Sequence, residues 1–216
     1  MGGMNAEDRT GRAPQRKRGF LRHARLLDAA AAVLERTGDS TLSLAVIAEE
    51  AGVPLPSVYH FFPNRHALLA ALAARYHADL SALALAPLAP APTRWQEIIR
   101  RRQEIGAEYL NANPAALQLF MGAGVSAEVR NLDLAGNASL ATVRAGEFRA
   151  HFDCSALPRL DYWLGVSIGL MDGIWAVSWT HHRCIAPDYL NESVGAVVAY
   201  LRMHLPESLP PRKIVE

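Results

Sequence analysis

Only two of the 216 residues are cysteine, Cys154 and Cys184. That is too few for a disulfide-stapled scaffold, and their spacing is not the C-x-x-C of a metal or redox site, so no oxidising compartment is implied. No apolar run of signal-peptide length precedes Gly19, which makes the cytoplasm the expected location. No stretch alternates apolar and polar residues at period two between hairpin turns, which argues against β-structure. A glycine-rich phosphate loop, a G-x-S-x-G elbow and an H-E-x-x-H motif are all missing, so the sequence offers no catalytic constellation and calls for no cofactor. What is plentiful is apolar surface. Half of the residues are hydrophobic and 20% are charged, enough to offset the ordering entropy of a folded core and to exclude a disordered or fibrous chain. The length allows one large domain or two small ones.

The formal net charge of +1 hides a local imbalance. Residues 1 to 75 carry ten Lys/Arg against seven Asp/Glu, and the remainder carries twelve against fourteen. Between Arg9 and Arg25 stand seven basic residues and no acid. Residues 1–15 read as a disordered basic arm, suited either to a polyanion whose counterions it would release or simply to solvent. Tyr162 to Thr180 is nearly uncharged and holds Gly165, Gly169 and Gly173 at G-x-x-x-G spacing, the pattern of a packed membrane span. Asp172 inside it and the charges that bracket it favour a buried helix of a soluble protein, with no membrane partner.

Every element legible in the sequence is a helix. Phe20, Ala24, Leu27, Ala31 and Leu34 fall on one helical face, and Thr37-Gly38 supplies a stop. A short helix from Leu44 to Ala51 has Ser43 as its N-cap and Gly52 at its end. Pro54 and Pro56 confine the next helix to two turns before Pro63. Asn64 caps a long helix to about Ala86, and a Pro/Ala-rich bend follows. Thr93 with Gln96 resembles a capping box for a helix to about Leu110. Asn113-Pro114 opens a short helix to Met121, Ser126 caps a segment to His151, and two final helices span about 158–181 and 187–205. The expected fold is all-α with about nine helices.

A helix, a second helix, a glycine-containing turn (Ala51-Gly52-Val53-Pro54) and a short helix form a helix-turn-helix, whose last helix enters the DNA major groove. The residues Leu42-Ser43-Leu44-x-x-Ile47-Ala48-x-x-Ala51-Gly52-Val53 and Ser57-Val58-Tyr59-His60-Phe61-Phe62-Pro63-Asn64-Arg65-x-Ala67-Leu68-Leu69 resemble the N-terminal domain of the TetR (tetracycline repressor) family of bacterial transcriptional regulators. The resemblance covers about Arg16 to Tyr76. It implies a DNA-binding domain at 16–64 and a ligand-binding and dimerisation domain at 65–216. It also implies a homodimer on a near-palindromic double-stranded DNA operator, with a small-molecule effector, most simply in a repressor.

Carried onto this sequence, the family pattern gives Ser43 a phosphate at the start of the second helix and gives Ser57 a base edge. It makes Tyr59 and His60 backbone contacts, sets Arg65 on a flanking phosphate, and lines the arm with Arg16, Lys17, Arg18 and Arg22. The sequence departs from the pattern at Pro54, where a Ser cap is usual, at Leu55, where Lys or another polar residue is common, and at Pro56, where Gly or Ala is common. Leu55 cannot hydrogen-bond a base but can meet a thymine methyl. The alternative, that Tyr59 and Phe62 are core aromatics, fits Phe62 better than Tyr59.

Past residue 80 no motif identifies a ligand class. Ile168, Asp172, Trp175 and Trp179 share one helical stripe, and Gly165, Gly169, Gly173 and Ala176 share another. The small-residue stripe suits a dimer seam. The Trp/Asp stripe suits a hydrophobic or aromatic effector, with Tyr109, Phe120, Met121 and Phe148 as opposite walls, or else it is plain core. His181, His182 and Cys184 are poorly spaced for a metal, and none is expected. Two rival readings remain: an enzyme using Asp172 as general base in a helical cavity, and a protein-interaction module that has lost DNA binding.

Overall fold

A computed structural model describes residues 17–37, 42–122 and 127–212, the side chains of Lys17 and Glu128 excepted. The basic arm 1–15, Arg16, Gly38 and the Ser126 cap lie outside the described residues. Among those described there are nine helices: α1 (Lys17–Thr37), α2 (Leu44–Ala51), α3 (Leu55–Phe61), α4 (Arg65–Leu85), α5 (Trp95–Ala112), α6 (Pro114–Met121), α7 (Ala127–His151), α8 (Leu160–His182) and α9 (Pro187–Arg202). The only β pairing among them is a single bridge between Phe152 and Pro211. The fold is all-α.

The chain forms two compact units. The first holds the described residues up to Tyr76 together with those of Pro114–Asp133, and the second holds His77–Asn113 and Leu134–Glu216. The unit that contains the helix-turn-helix thus runs on past residue 64 and takes in α6, which packs on α1. Glu35 of α1 accepts a hydrogen bond from the Ala115 N–H at the start of α6, where a carboxylate also meets the positive end of the helix dipole.

In the first unit, Leu26, Ala30, Val33 and Leu34 of α1, Ile47 of α2, Val58 of α3 and Leu68 and Leu72 of α4 are buried together in the core. Phe20 and Ala24 are exposed, although they were expected on the core face of α1. Phe20 shares the azimuth of Leu27, but aromatic cover from α3 begins only at His23, whose ring lies 5.0 Å from Phe62 and 5.9 Å from Phe61. Burial depresses the His23 pKa, and the positive charge of Arg75 depresses it further.

α4 alone among the described helices is long and apolar enough to cross a membrane by length and composition. Its Leu68, Leu69, Leu72, Ala73 and Tyr76 line the core of this unit, which accounts for the composition. Asn64 caps it, accepting from the Ala67 N–H at 2.9 Å.

The second unit is built around Trp95, Ile98, Phe148, Leu160, Leu164 and Leu201. The start of α5 differs from the expected box. Arg94 is the N-cap residue, and the carboxylate of Glu97, not Gln96, accepts from the Thr93 N–H and hydroxyl at 3.0 and 3.1 Å. Thr93 stands one residue outside the cap, so its partner lies four residues on. Gln96 instead donates to the Glu207 carbonyl.

A buried guanidinium ties three elements of this unit together. Arg102 on α5 donates to both carboxylate oxygens of Glu147 on α7 at 2.6 to 3.1 Å. It also donates to the Leu83 and Ala86 carbonyls at the end of α4. Those carbonyls are among the four that any helix leaves without internal partners. Arg144 lies 3.5 Å from the same carboxylate. Burial lowers its pKa to about 10 against the pull of Glu147, so it stays a cation at neutral pH.

Arg102→Ala leaves the buried Glu147 carboxylate to Arg144 alone and strands two carbonyls, and is expected to cost about 3 kcal/mol, measured by urea unfolding; Arg102→Lys, lacking the fork, should recover only part of it. For His23, the folded state favours the neutral ring, so its contribution is present above the unfolded pKa of about 6.5 and is lost as pH falls through it. Lowering the pH from about 7.5 to about 5.5 should therefore reduce the urea midpoint more in the native chain than in His23→Gln, and equal slopes would refute the assignment.

Candidate nucleic-acid interface

The turn between α2 and α3 is set by Gly52, the single described glycine at positive φ (61°). The Gly52 N–H bonds the Glu49 carbonyl and the Val53 N–H bonds the Ala48 carbonyl, both at 3.0 Å. This is the double bond pattern of a Schellman stop. Pro54 then takes an extended conformation and α3 begins at Leu55. Ile47 of α2 and Val58 of α3 are both fully buried. Ser43 caps α2 by accepting from the Val46 N–H at 3.2 Å. Its hydroxyl hydrogen is left to donate, as a phosphate contact requires.

α3 has a sharply divided surface. Val58, Phe61 and Phe62 are buried, whereas Pro56, Tyr59 and His60 are exposed and Leu55 and Ser57 are half-buried. Tyr59 is 54% exposed and Phe62 is 0% exposed, so of the two aromatics that could have been core, only Phe62 is. The Ser57 N–H is committed to the Pro54 carbonyl at 2.8 Å. The exposed His60 ring lies edge-on to the buried Phe61, 5.1 Å away.

The basic residues are arranged along α1. Arg18, Arg22 and Arg25 are exposed and stand at i, i+4 and i+7, one stripe of the helix. Arg25 was counted above only within the basic run. Its Nη2 lies 3.1 Å from where a Cβ on Gly52 would sit, placing a cation over the turn itself. The i+7 spacing from Arg18 was the signal that could have found it. Arg65 opens α4 and is half-buried. Lys17 begins α1.

The residues suggested for a ligand fall in both units. Phe120 and Met121 belong to the first unit, where Phe120 meets Tyr76 edge-on at 6.4 Å. Phe148 fills the core of the second unit between Trp95 and Phe152. On α8, Trp175 and Trp179 are buried as the stripe requires, while Ile168 and Asp172 are half-buried. The Trp175 indole donates to Ser193 Oγ at 3.0 Å, and Ser193 lies 2.6 Å from the Gln103 side-chain carbonyl. The Trp179 indole N–H is buried with no acceptor within hydrogen-bonding distance among the described residues. Asp172 accepts from the Asn137 amide, and the Tyr109 hydroxyl donates to Asp79.

The small-residue stripe splits as well. A Cβ on Gly169 or Gly173 would meet nothing within 4 Å, whereas one on Gly165 would touch Ala141 on α7. Each i+4 step advances about 40° around the helix, which carries the glycines from the α7 side onto an open face. Ala176 is half-buried. That open face also displays Tyr162, Val166, Leu170 and Val177, all exposed. No group of three or more His, Cys, Asp or Glu suited to a metal occurs among the described residues.

Residues 26–72 match the family model of bacterial regulatory proteins, tetR family. No curated protein matches the chain. Among solved structures, a TetR-family transcriptional regulator from Streptomyces coelicolor superposes with a TM-score of 0.67 at 20% identity, over 85% of this chain and 99% of that one. A transcriptional regulator from Rhodococcus sp. Rha1 gives 0.67 at 14% identity, over 84% and 96%. The multidrug binding protein EbrR complexed with ethidium gives 0.60 at 19% identity, over 82% and 98%. Residues 26–72, which hold the helix-turn-helix, are thus similar to the tetR family of bacterial regulatory proteins, and the chain shares the fold of these solved structures.

Proposed function

We propose that this protein is a ligand-responsive repressor that binds a palindromic operator as a homodimer and is released by a small hydrophobic or aromatic effector. The observation that carries the reading is the outer face of α3. Tyr59 and His60 project from a helix whose other face is fully committed to the core, beside the exposed cations of α1. Base edges are read by such a helix, and phosphates by the basic and hydroxyl groups around it. Arg18, Arg22, Arg25, Arg65 and Ser43 take the phosphate roles together with Tyr59 and His60, and Ser57 faces the base edges.

A second copy of the chain is supported by α8, whose open face carries Tyr162, Val166, Leu170 and Val177 around Gly169 and Gly173. A row of exposed apolar side chains around two glycines lets a partner helix approach closely. The effector is supported by the second unit, where the buried Trp179 N–H lacks an acceptor and where a similar fold, that of EbrR, binds ethidium. The enzyme alternative has less behind it, since Asp172 is held by the Asn137 amide.

Tyr59→Ala and Arg65→Ala should each weaken specific DNA binding about tenfold at fixed salt, and Arg65→Ala should also reduce the slope of log K against log salt by about one. Both variants should sediment as the native chain does; unchanged affinity would count against this interface. Val177→Glu would bury a charge in the proposed seam. It should shift the sedimentation equilibrium from dimer to monomer, and a variant that stays dimeric would place the seam elsewhere.

A further inference from the structure

The outer face of α3 is short of hydrogen-bonding groups where a reading helix most needs them. Leu55 and Pro56 occupy its first turn, Pro54 precedes them, and none of the three side chains has a donor or an acceptor. The backbone can substitute only through the single Leu55 N–H, because Pro54 and Pro56 have no N–H and the Ser57 N–H is held by the Pro54 carbonyl at 2.8 Å. Leu55 is not absorbed into the core either. It stays half-buried, three residues before the fully buried Val58. Tyr59 and His60 follow one turn later on the same exposed face.

In a helix-turn-helix the first residues of the reading helix meet the base edges. The major-groove edges of guanine, adenine and cytosine present donors and acceptors there, and only thymine adds an apolar group, its C5-methyl. A donor or acceptor set against Leu55 and Pro56 would lose water and gain no partner, which is costly. A methyl set there loses nothing and buries apolar surface.

We infer that each operator half-site presents thymine to the start of α3 and that Leu55, packed beside Pro56, selects it through the C5-methyl group. Leu55 is in this sense a specificity-determining residue. This rests on the DNA-binding reading above and adds the chemistry of one base.

The test begins with selection of binding sites by the full-length protein from randomised double-stranded DNA. Each thymine of the selected half-site is then replaced singly by deoxyuridine, which removes the methyl and leaves base pairing unchanged. At one thymine per half-site, affinity should fall about fourfold, the value of one buried methyl group. Leu55→Ala should bind the thymine site more weakly and be indifferent to deoxyuridine at that position, so that the two losses are not additive. Leu55→Met, still apolar and long enough to reach, should keep the sensitivity and shows whether any loss in Leu55→Ala is merely a folding defect. Two outcomes overturn the inference alone: a specific site is selected but no deoxyuridine substitution matters, or Leu55→Ala still loses fourfold on methyl removal. Failure to select any sequence would overturn the regulator reading, and the inference with it.

Discussion

Everything exposed on α3 depends on the left-handed residue that ends α2. With Gly52 at φ 61°, the chain reverses in the space of one residue, and both of the last free N–H groups of the turn find carbonyls on α2. Any side chain there would be strained at that φ, and it would also press on the Arg25 guanidinium 3.1 Å away. The same stop delivers Pro54 in the extended conformation from which α3 starts. Without that angle Val58 could not reach the core beside Ile47, and Tyr59 and His60 could not face outward. The direction of the reading helix is thus fixed by backbone geometry and by two buried aliphatic side chains, leaving its outer residues free of any structural duty.

How much of this is legible in the sequence depends on the range of the interaction concerned. Gly52, Pro54, Pro63 and Asn64 act on their own neighbours, so the helix boundaries around them stand where a reading of the residues puts them. The aliphatic stripe of α1 was legible only in part, because periodicity tells which face a residue is on and says nothing about how far its cover extends. Phe20 is on the right face and still exposed. The Thr93 box was read one residue short, since the identity of the N-cap, Arg94, depends on backbone angles that composition does not reveal.

Long-range pairs were the least legible. Arg102 and Glu147 are 45 residues apart and in sequence look like ordinary surface charges, the reading most charges deserve. Their burial becomes sensible only once the free carbonyls at the end of α4 are seen to need a donor. The α8 glycines illustrate the intermediate case. Their G-x-x-x-G spacing was plain, but the drift of about 40° per step separates Gly165 from Gly169 and Gly173, and only the neighbouring Ala141 reveals on which side each falls.

The near-neutral net charge acquires a different meaning from these placements. Arg102 and Arg144 share the buried carboxylate of Glu147, so part of the positive charge of the second unit is internal and serves folding. The cations of α1 are exposed, and Asp28, the first acid after them, is paired with Arg75 at 2.6 Å. A field that attracts phosphate depends on charges that water and ligands can reach, and surface cations of α1 contribute to it far more than buried ones. The exposed cations of α1 are thus averaged away in a sum over the whole chain. The lack of polar groups at Leu55 and Pro56 becomes tolerable for the same reason: phosphate contacts can supply affinity without base identity, leaving apolar side chains at the start of α3 to discriminate by shape.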